Sequence, residues 1–556
     1  MILERVQQAI DRALSETYGL SGIQIALTYP NSQFGDVATN VAFRIAKQVK
    51  KAPAQIAEEL SGVLKDDVIA GALPANGFIN IILTDSALWE LSDEPHMQPY
   101  RDKVVVVEYS DPNPFKVLHA GHLYTTLVGD AVSNLLEVAG ATVHRVNFGG
   151  DVGLHVGRTM WAVLEELGGE HPEKLEGIHE DERLDWLSAQ YVKGTAAYDD
   201  NERAKADIIS LNKRVYQLHS EDEHNTEFAR IYWTCRQWSY DGFDLLYKKL
   251  GVVPFEKYYP ESLTTPVGVK TVQDGLEKGV FEKSDGAVVY RGEADGLHTR
   301  VFLTSNGLPT YEAKDLGLAQ QKWKDYHFDQ SIIITGNDII EYMKVVVAAL
   351  AHFHPEVAER STHLTHGMIK LAGGAKMSSR RGNILRATDV LEAASKANQK
   401  ENGKAQPEVA LAAIKYAFIK QRIGGDIVFD PQESVALQGN SGPYLQYAHA
   451  RARSILAKAG SDVSKQSDSQ LEPAEHQLLR HIAIYNAVLE QATSELLPSH
   501  IATYLYQLSQ EFNRFYENNQ VVGHNRSVVR LALIQKYADV LRDGLRILGI
   551  AAPDHI

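Results

Sequence analysis

The tetrapeptide His119-Ala120-Gly121-His122 sets two imidazoles within a single turn of chain around a glycine. Imidazoles donate hydrogen bonds to phosphate oxygens, and a glycine leaves room for a flat base to approach. A second chemical cluster spans 372–383, where Lys376, Met377, Ser378 and Ser379 lie in a basic loop bracketed by glycines. A pliant backbone carrying a lysine and two hydroxyls suits a clamp on a polyphosphate whose charge is redistributed during reaction. Taken alone, the second cluster is also what a charge-rich surface turn looks like. Together the two clusters point to chemistry on a nucleotide phosphate.

The elements that must position these groups can be read around them. Val104 to Val107 form a run expected of a strand buried on both faces, as in a parallel sheet. Pro112 and Pro114 end that strand in a turned passage, and after Gly121 the residues Leu123, Leu127, Val128, Ala131, Leu135 and Leu136 fall at helical spacing. The two histidines therefore stand where a helix begins, a place that favours anions through its free N–H groups and dipole. The next strand, 141–148, runs into Gly149-Gly150-Asp151-Val152-Gly153, which completes a right-handed βαβ unit of a nucleotide-binding sheet. Two later segments return to the same place. The turn 304–310 leads into a helix on which Tyr311 and Asp315 share one face, and the strand 331–335 ends in Gly336-Asn337-Asp338 before a helix over 339–352.

With 556 residues the chain exceeds one ordinary core, and three or four domains are expected. It is 44% hydrophobic and 23% charged, a globular composition, with no apolar run of 18 residues and no secretory or transit signal at its start, so a cytoplasmic protein with no membrane contact is expected. A single cysteine, Cys235, excludes internal disulfides and multi-cysteine zinc sites; no metal-ligand set is read, and no zinc is expected. The net charge of −15 looks wrong for a nucleic-acid partner, yet 371–460 holds 13 Lys and Arg against 7 Asp and Glu. A basic face on an acidic chain is compatible with a polyanion, as it is with an ordinary solvated surface.

Residues 1–90 read as a small α+β module with helices over 4–18 and within 40–64. The strand 77–83 puts Phe78 and Asn80 on one face, where they could stack on and hydrogen-bond an unpaired base; core packing of Phe78 is the plain alternative. The acidic stretch 92–99 reads as a linker. Between about 160 and 255 lies a charged helical insertion with Trp161, Trp186, Trp233 and Trp238 as packing anchors and no legible chemistry of its own. After about 405 the chain reads as all helix, over 406–421, 443–459, 473–496, 498–520 and 525–548, with a polar loop at 460–472. Tyr444, Tyr447 and Arg451 share one of these helices, a mixture suited to stacking on splayed RNA bases or, more plainly, to a core.

Taken together these residues resemble a class I aminoacyl-tRNA synthetase, and closely the arginyl-tRNA synthetase family. His119-Ala-Gly-His122 and Lys376-Met-Ser-Ser379 match the two class signatures in order, and Ser110-Asp-Pro-Asn113-Pro-Phe-Lys116-Val-Leu-His119 is similar to the arginyl family's own extension of the first. The run 413–447 is likewise similar to the arginyl family's pattern, and the tail, from Ala502-Thr-Tyr504 through Phe512-Asn513 to Leu531-Ala-Leu533, is similar to its helical anticodon-binding domain. Phe34-Gly35-Asp36, Thr39-Asn40 and Gly77-Phe78-Ile79-Asn80 fit its N-terminal additional domain.

The resemblance implies an α/β fold: a Rossmann-type class I catalytic domain over 96–400, an N-terminal α+β additional domain over 1–95 and an all-α anticodon-binding domain over 401–556. It implies a ligase that activates L-arginine with ATP and Mg²⁺ to arginyl-adenylate, then transfers it to the terminal adenosine of tRNA(Arg), as a monomer that needs bound tRNA for activation. His119, His122, Lys376 and Lys116 would be the catalytic cations and donors, with Gly121, Met377, Ser378 and Ser379 completing the ATP site; Lys116 would be partly redundant beside Lys376. Glu108, Ser110, Asn113, Tyr311 and Asp315 would hold arginine, the carboxylates meeting its guanidinium. Phe78, Asn80, Tyr444, Tyr447 and Arg451 would touch tRNA. The chain departs from the family pattern at Ile339 and Tyr342, where a glutamine and a histidine are usual, and at Asp111, where a small residue is commoner.

Overall fold

The computed structural model describes residues 1–372, 385–404, 406–460 and 470–555. Lys376, Met377, Ser378 and Ser379 lie outside these residues.

The chain begins with helix α1 (Ile2–Tyr18), whose apolar residues Val6, Ile10, Ala13 and Leu14 are buried and whose last turn stops at Gly19 in the left-handed conformation. Strands β1 (Leu27–Thr28), β2 (Val37–Thr39), β3 (Ile69–Ala75) and β4 (Phe78–Leu83) form an antiparallel sheet in the order β1-β2-β4-β3, backed by α2 (Val41–Val49) and α3 (Pro53–Val63). Helix α4 (Asp85–Asp93) follows. The stretch expected to be a free linker is fastened instead: Glu94 accepts from the Ile2 amide at 2.7 Å, and His96 shares a 2.7 Å hydrogen bond with Asn486.

The central sheet is parallel, in the order β12-β11-β5-β6-β7, built from β5 (Val104–Glu108), β6 (Thr142–Gly149), β7 (Lys257–Pro260), β11 (Gln330–Gly336) and β12 (Ser361–His366). Val105, Val106 and Val107 are fully buried, as a strand covered on both faces requires. The chain runs outward from β5 to β6 and β7, then returns to the other side of β5 with β11 and β12. That reversal opens a crevice beyond the carboxyl ends of β5 and β11, where open parallel sheets bind ligands. Helix α5 (Ala120–Val138) crosses from β5 to β6.

Between β6 and β7 lie α6 (Leu154–Leu167), α7 (Arg183–Asp200), α8 (Glu202–Ser220) and α9 (Glu227–Leu250). Trp238 is buried in their core, Trp186 and Trp233 pack against it, and Cys235 is buried there as a free thiol. Helices α10 (Glu261–Glu277) and α11 (Tyr311–Tyr326) flank a small antiparallel sheet of β8 (Glu282–Ser284), β9 (Ala287–Tyr290) and β10 (Arg300–Leu303). These two helices cross at glycines: a Cβ on Gly268 would lie 1.8 Å from the Ala313 carbonyl oxygen, and one on Gly317 2.1 Å from that of Thr264. The close crossing brings the start of α10 against the start of α11, which matters for the site below.

Helix α12 (Ile340–Ala351) and the short α13 (Pro355–Glu359) precede β12; β13 (Ile369–Leu371) follows, and α14 (Ala387–Asn402) comes after the undescribed stretch. The C-terminal part contains α15 (Pro407–Ile419), α16 (Pro431–Ser434), α17 (Gly442–Ala459), α18 (Pro473–Ala483), α19 (Tyr485–Glu495), α20 (Ser499–Asn518) and α21 (Ser527–Ile547). The reading of this part as all helix needs correction, because β14 (Ile427–Phe429) pairs in parallel with β13. The single helix expected over 473–496 is two, broken at Ile484. One apolar core runs continuously through the N-terminal module, the C-terminal helices and Ala131, Leu135 and Val138 of α5. The C-terminal half of α5 is thereby anchored while its N-terminus faces the crevice.

Candidate active site

After Glu108 the backbone turns sharply. Ser110, Asp111 and Phe115 all have positive φ, at 75°, 48° and 67°. Such conformations cost a side-chain-bearing residue on the order of 1 kcal/mol or more each and persist where surroundings over-determine them. The surroundings here come largely from the insertion. Ser110 Oγ shares a 2.8 Å hydrogen bond with the Tyr247 hydroxyl and accepts another from Thr126 Oγ1, while the Phe115 amide donates to Ser239 Oγ at 2.9 Å. The Phe115 ring is fully buried against Tyr232. So α9, read from sequence as chemically silent, pins the loop that carries the chemistry. From the other side, Asp111 Oδ1 accepts from the Phe148 amide and Asn113 Oδ1 from the Gly150 amide, both at 2.8 Å.

The loop delivers His119 as the N-cap of α5. Its Nδ1 accepts from the Gly121 amide at 3.0 Å, and His122 Nδ1 accepts from the His119 amide at 3.2 Å. With Nδ1 an acceptor in both rings, the proton of each neutral imidazole sits on Nε2. The rings lie 3.8 Å apart between centroids. His119 is held down to about 4, chiefly by enclosure in the crevice and then by the Lys116 charge, although its rim stays open to solvent; His122 is held well below 6.5 by burial and by His119 and Lys116. At neutral pH the pair are two uncharged N–H donors at a helix N-terminus. A Cβ on Gly121 would lie 2.8 Å from His119 Cε1, so a bare glycine here gives space to the histidine ring itself. Lys116 Nζ rests 4.7 Å above the Tyr191 ring of α7. The segment after the undescribed stretch docks on the same corner: the Ala120 amide donates to the Leu385 carbonyl at 2.8 Å and the Ala387 amide to that of Leu118 at 2.9 Å.

Beside the histidines opens a cavity of about 560 Å³, lined by Glu108, Asn113, His122, Tyr311 and Asp315 among the expected residues. Ser110 is not on its wall, since its hydroxyl is spent on Tyr247 and Thr126. Asp111, Glu261, Asp338 and Tyr342 also line it. Four carboxylates thus crowd the enclosed end, and they divide into two kinds. Glu108 forms a buried ion pair with Lys322, whose ammonium also donates to Ser331 Oγ at 3.1 Å, and Glu261 forms one with Lys314. Asp111 and Asp315 have no basic partner among the described residues. Burial, with Glu108 adding repulsion, lifts Asp111 well above the usual carboxylate range. Burial lifts Asp315 to about 8, against the lowering effect of a hydrogen bond from the Tyr342 hydroxyl. Asp338 is exposed at the start of the turn before α12. The enclosed end therefore holds two carboxyl groups with no basic partner among the described residues, kept protonated by burial, and a doubly cationic ligand would draw both into their ionised forms.

Glu108 was expected to meet a guanidinium directly; Lys322 already neutralises it. Sequence reasoning missed Glu261, Lys314 and Lys322. Glu261 could have been found by the rule that located Glu108, because it too follows the carboxyl end of a parallel strand. Tyr311, 55% exposed, stands at the mouth with Lys314 Nζ 5.2 Å from its ring centroid.

The residues expected to touch nucleic acid separate. Phe78 is 43% exposed and meets Phe43 edge to face at 5.2 Å, but Asn80 is buried in the middle strand of its sheet. On α17, Tyr447 is exposed under the Arg451 guanidinium at 4.9 Å, whereas the Tyr444 hydroxyl accepts from Asn513 at 2.8 Å and its ring packs on Tyr506.

Comparison with known proteins follows this geometry. The class I tRNA synthetase (R) catalytic domain matches 86–430, the arginyl-tRNA synthetase N-terminal domain 4–83 and the DALR anticodon-binding domain 445–556. The arginine–tRNA ligase of Bacteroides fragilis is 31% identical over 605 residues, covering all of both chains, and that of Flavobacterium psychrophilum 29% over 608 residues, covering all of this chain and 99% of its own. The arginyl-tRNA synthetase of Thermus thermophilus superposes with a TM-score of 0.80 at 27% identity over 100% of both chains. That of Plasmodium falciparum, at 20% identity, shares the fold, with a TM-score of 0.79 over 100% of this chain and 99% of its own. With its catalytic-domain match spanning more than half its length, the chain belongs to the arginyl-tRNA synthetase family of class I synthetases.

Proposed function

We propose that this chain is an arginine–tRNA ligase: it joins L-arginine to ATP as arginyl-adenylate and passes the arginyl group to the 3′-terminal adenosine of tRNA(Arg). The observation that carries the reading is the surplus of carboxylate at the enclosed end of a cavity whose other end holds two neutral imidazole donors. Arginine brings two positive groups to the first and its carboxylate to the second.

In the first step a carboxylate oxygen of arginine attacks the α-phosphorus, and the bond to the bridging oxygen of pyrophosphate breaks. The Nε2–H groups of His119 and His122 would donate to phosphate oxygens as charge gathers there, and the dipole of α5, whose positive end lies at the same point, would add to them. Lys116 supplies positive charge on the same corner, and Lys376, Met377, Ser378 and Ser379 are proposed for the pyrophosphate. In the second step a ribose hydroxyl of the terminal adenosine attacks the arginyl carbonyl and AMP leaves. We assign Asp315 to the guanidinium, Tyr311 to the mouth of the pocket and Asn113 to the amino-acid end. ATP is proposed to arrive with Mg²⁺ held by its own phosphate oxygens; among the described residues no group of three or more His, Cys, Asp or Glu could hold a metal ion.

For tRNA we propose Phe78, Tyr447 and Arg451 as contacts, with Tyr444 positioning that helix through Asn513. Asn80 is buried and is assigned to the sheet rather than to RNA. The N-terminal additional domain is proposed over 1–95, the catalytic domain over 96–400 and the anticodon-binding domain over 401–556. We further propose a cytoplasmic monomer that needs tRNA to activate arginine; among the described residues no helix is long and apolar enough to cross a membrane. The test is ATP–pyrophosphate exchange with each amino acid, with and without tRNA. Exchange with arginine alone, and only with tRNA, is expected. Exchange with another amino acid would overturn the specificity, and exchange without tRNA its dependence.

A further inference from the structure

Asp111 is a puzzle of charge. Among the described residues its side-chain hydrogen bond is Oδ1 accepting from the Phe148 amide at 2.8 Å, a service that a neutral serine or asparagine oxygen performs as well. Yet a carboxylate stands there, in a left-handed backbone conformation at φ 48°, close enough to Glu108 and Asp315 for their charges to repel it. Holding an ionisable acid in such company is costly unless a cation joins it. Among the described residues, Lys322 is already committed to Glu108 and Lys314 to Glu261, while Lys116, on the same loop, rests over the Tyr191 ring. Arg300, also on the wall, lies 3.4 Å from Glu312.

Charge matching then narrows the ligand. Arginine carries two positive groups, and two enclosed carboxylates, Asp111 and Asp315, lack a basic partner among the described residues. Position assigns them. Asp111 belongs to the β5–α5 loop, with Asn113, Lys116 and His119, and so lies on the side where the reacting carboxylate must meet ATP. Asp315 belongs to α11, where the Tyr342 hydroxyl of α12 holds it. The α-ammonium is bonded to the same carbon as the reacting carboxylate and must stay with the loop.

We propose that Asp111 is a substrate-contacting residue that receives the α-ammonium of arginine, with Glu108 held by Lys322 as a neutralised neighbour. This rests on the arginine-activating reading above. Asp111 so placed makes the site discriminate for a free α-amino group, a specificity separate from recognition of the guanidinium.

The experiment compares arginine with 5-guanidinopentanoate, the same molecule lacking the α-amino group, as substrate and competitive inhibitor of ATP–pyrophosphate exchange in the presence of tRNA. Asp111→Asn keeps the Phe148 contact and removes the charge. Its KM for arginine is expected to rise about ten- to a hundredfold, the range for a charged hydrogen bond, while Ki for 5-guanidinopentanoate changes by less than about threefold on the same scale. Asp111→Ser should show the same split if Asp111→Asn fails to fold. An unchanged KM, or equal weakening of both ligands, would overturn the assignment and leave Asp111 a structural residue. Absence of arginine-dependent exchange in the wild type would instead fell the reading beneath it.

Discussion

The phenol hydroxyl of Tyr342 donates to Oδ2 of Asp315, joining α12 to α11 across the floor of the amino-acid cavity. The bond fixes the plane of the one carboxylate on α11 that lacks a basic partner among the described residues, and it favours the ionised form that a guanidinium needs. Tyr342→Phe removes the donor and leaves the ring. The expected result is a KM for arginine raised about three- to tenfold, matching a neutral hydrogen bond, with kcat nearly unchanged. Steady-state exchange kinetics measure it.

Asp315 itself gives a pH signature. Its folded-state value of about 8 lies far above that of an exposed aspartate, so the empty protein holds a proton there that the unfolded chain has released. Between those two values the native state binds more protons, and this residue's contribution to stability falls as pH rises toward 8. Arginine binding reverses the penalty. The shift in melting temperature caused by saturating arginine should therefore grow from pH 6 to pH 8.5 in the wild type and grow less in Asp315→Asn, where only Asp111 remains to be ionised by the ligand. Scanning calorimetry at several pH values decides it.

Both histidines are neutral at neutral pH, His119 held down to about 4 and His122 well below the usual imidazole range, and each keeps its proton on Nε2. Their role as donors predicts that His119→Ala and His122→Ala each lower kcat for exchange by about a hundredfold or more, the usual loss for a donor aimed at developing charge. The KM for ATP should move far less. No fall in kcat between pH 6 and pH 8 should trace to these rings.

Stability of the C-terminal helices rests partly on Glu475, which is fully buried and held by two arginines. Arg530 Nε lies 2.9 Å from Oε1, and Arg526 Nε donates to the same oxygen at 2.8 Å. Glu475→Ala leaves Arg530 with Glu472 and the Gln520 carbonyl, both at 2.7 Å, but removes its bond and that of Arg526 to the buried carboxylate; it should cost about 1.5–3 kcal/mol, the range for hydrogen bonds to a charged group, read as a lowered thermal midpoint. Glu475→Gln should recover part of that loss.

Much of the site was legible because its chemistry is local. A valine run, two prolines and a helical apolar pattern placed His119 and His122 at a helix start, where α5 does begin. Tyr311 and Asp315 fall on the cavity wall because a single helical turn sets them there. What escaped the sequence is set by packing between distant segments. Lys322 and Glu108 are 214 residues apart, and nothing local in either marks the pairing that changes what Glu108 can do. Glu261 reaches the cavity through a glycine-to-glycine helix crossing invisible to periodicity. Asn80 was read from alternation alone, which gives a face but not what covers it, and the middle strand of the sheet buries it.

The central claim is that this cavity selects a substrate with two positive groups, and citrulline tests it most directly, being arginine with an uncharged side-chain end. ATP–pyrophosphate exchange with tRNA present should proceed with arginine and be undetectable with citrulline in the wild type, and Asp315→Asn should lose most of its preference between them by losing arginine. Comparable exchange with citrulline and arginine in the wild type, or an Asp315→Asn variant that still uses arginine at an unchanged KM, would contradict the account.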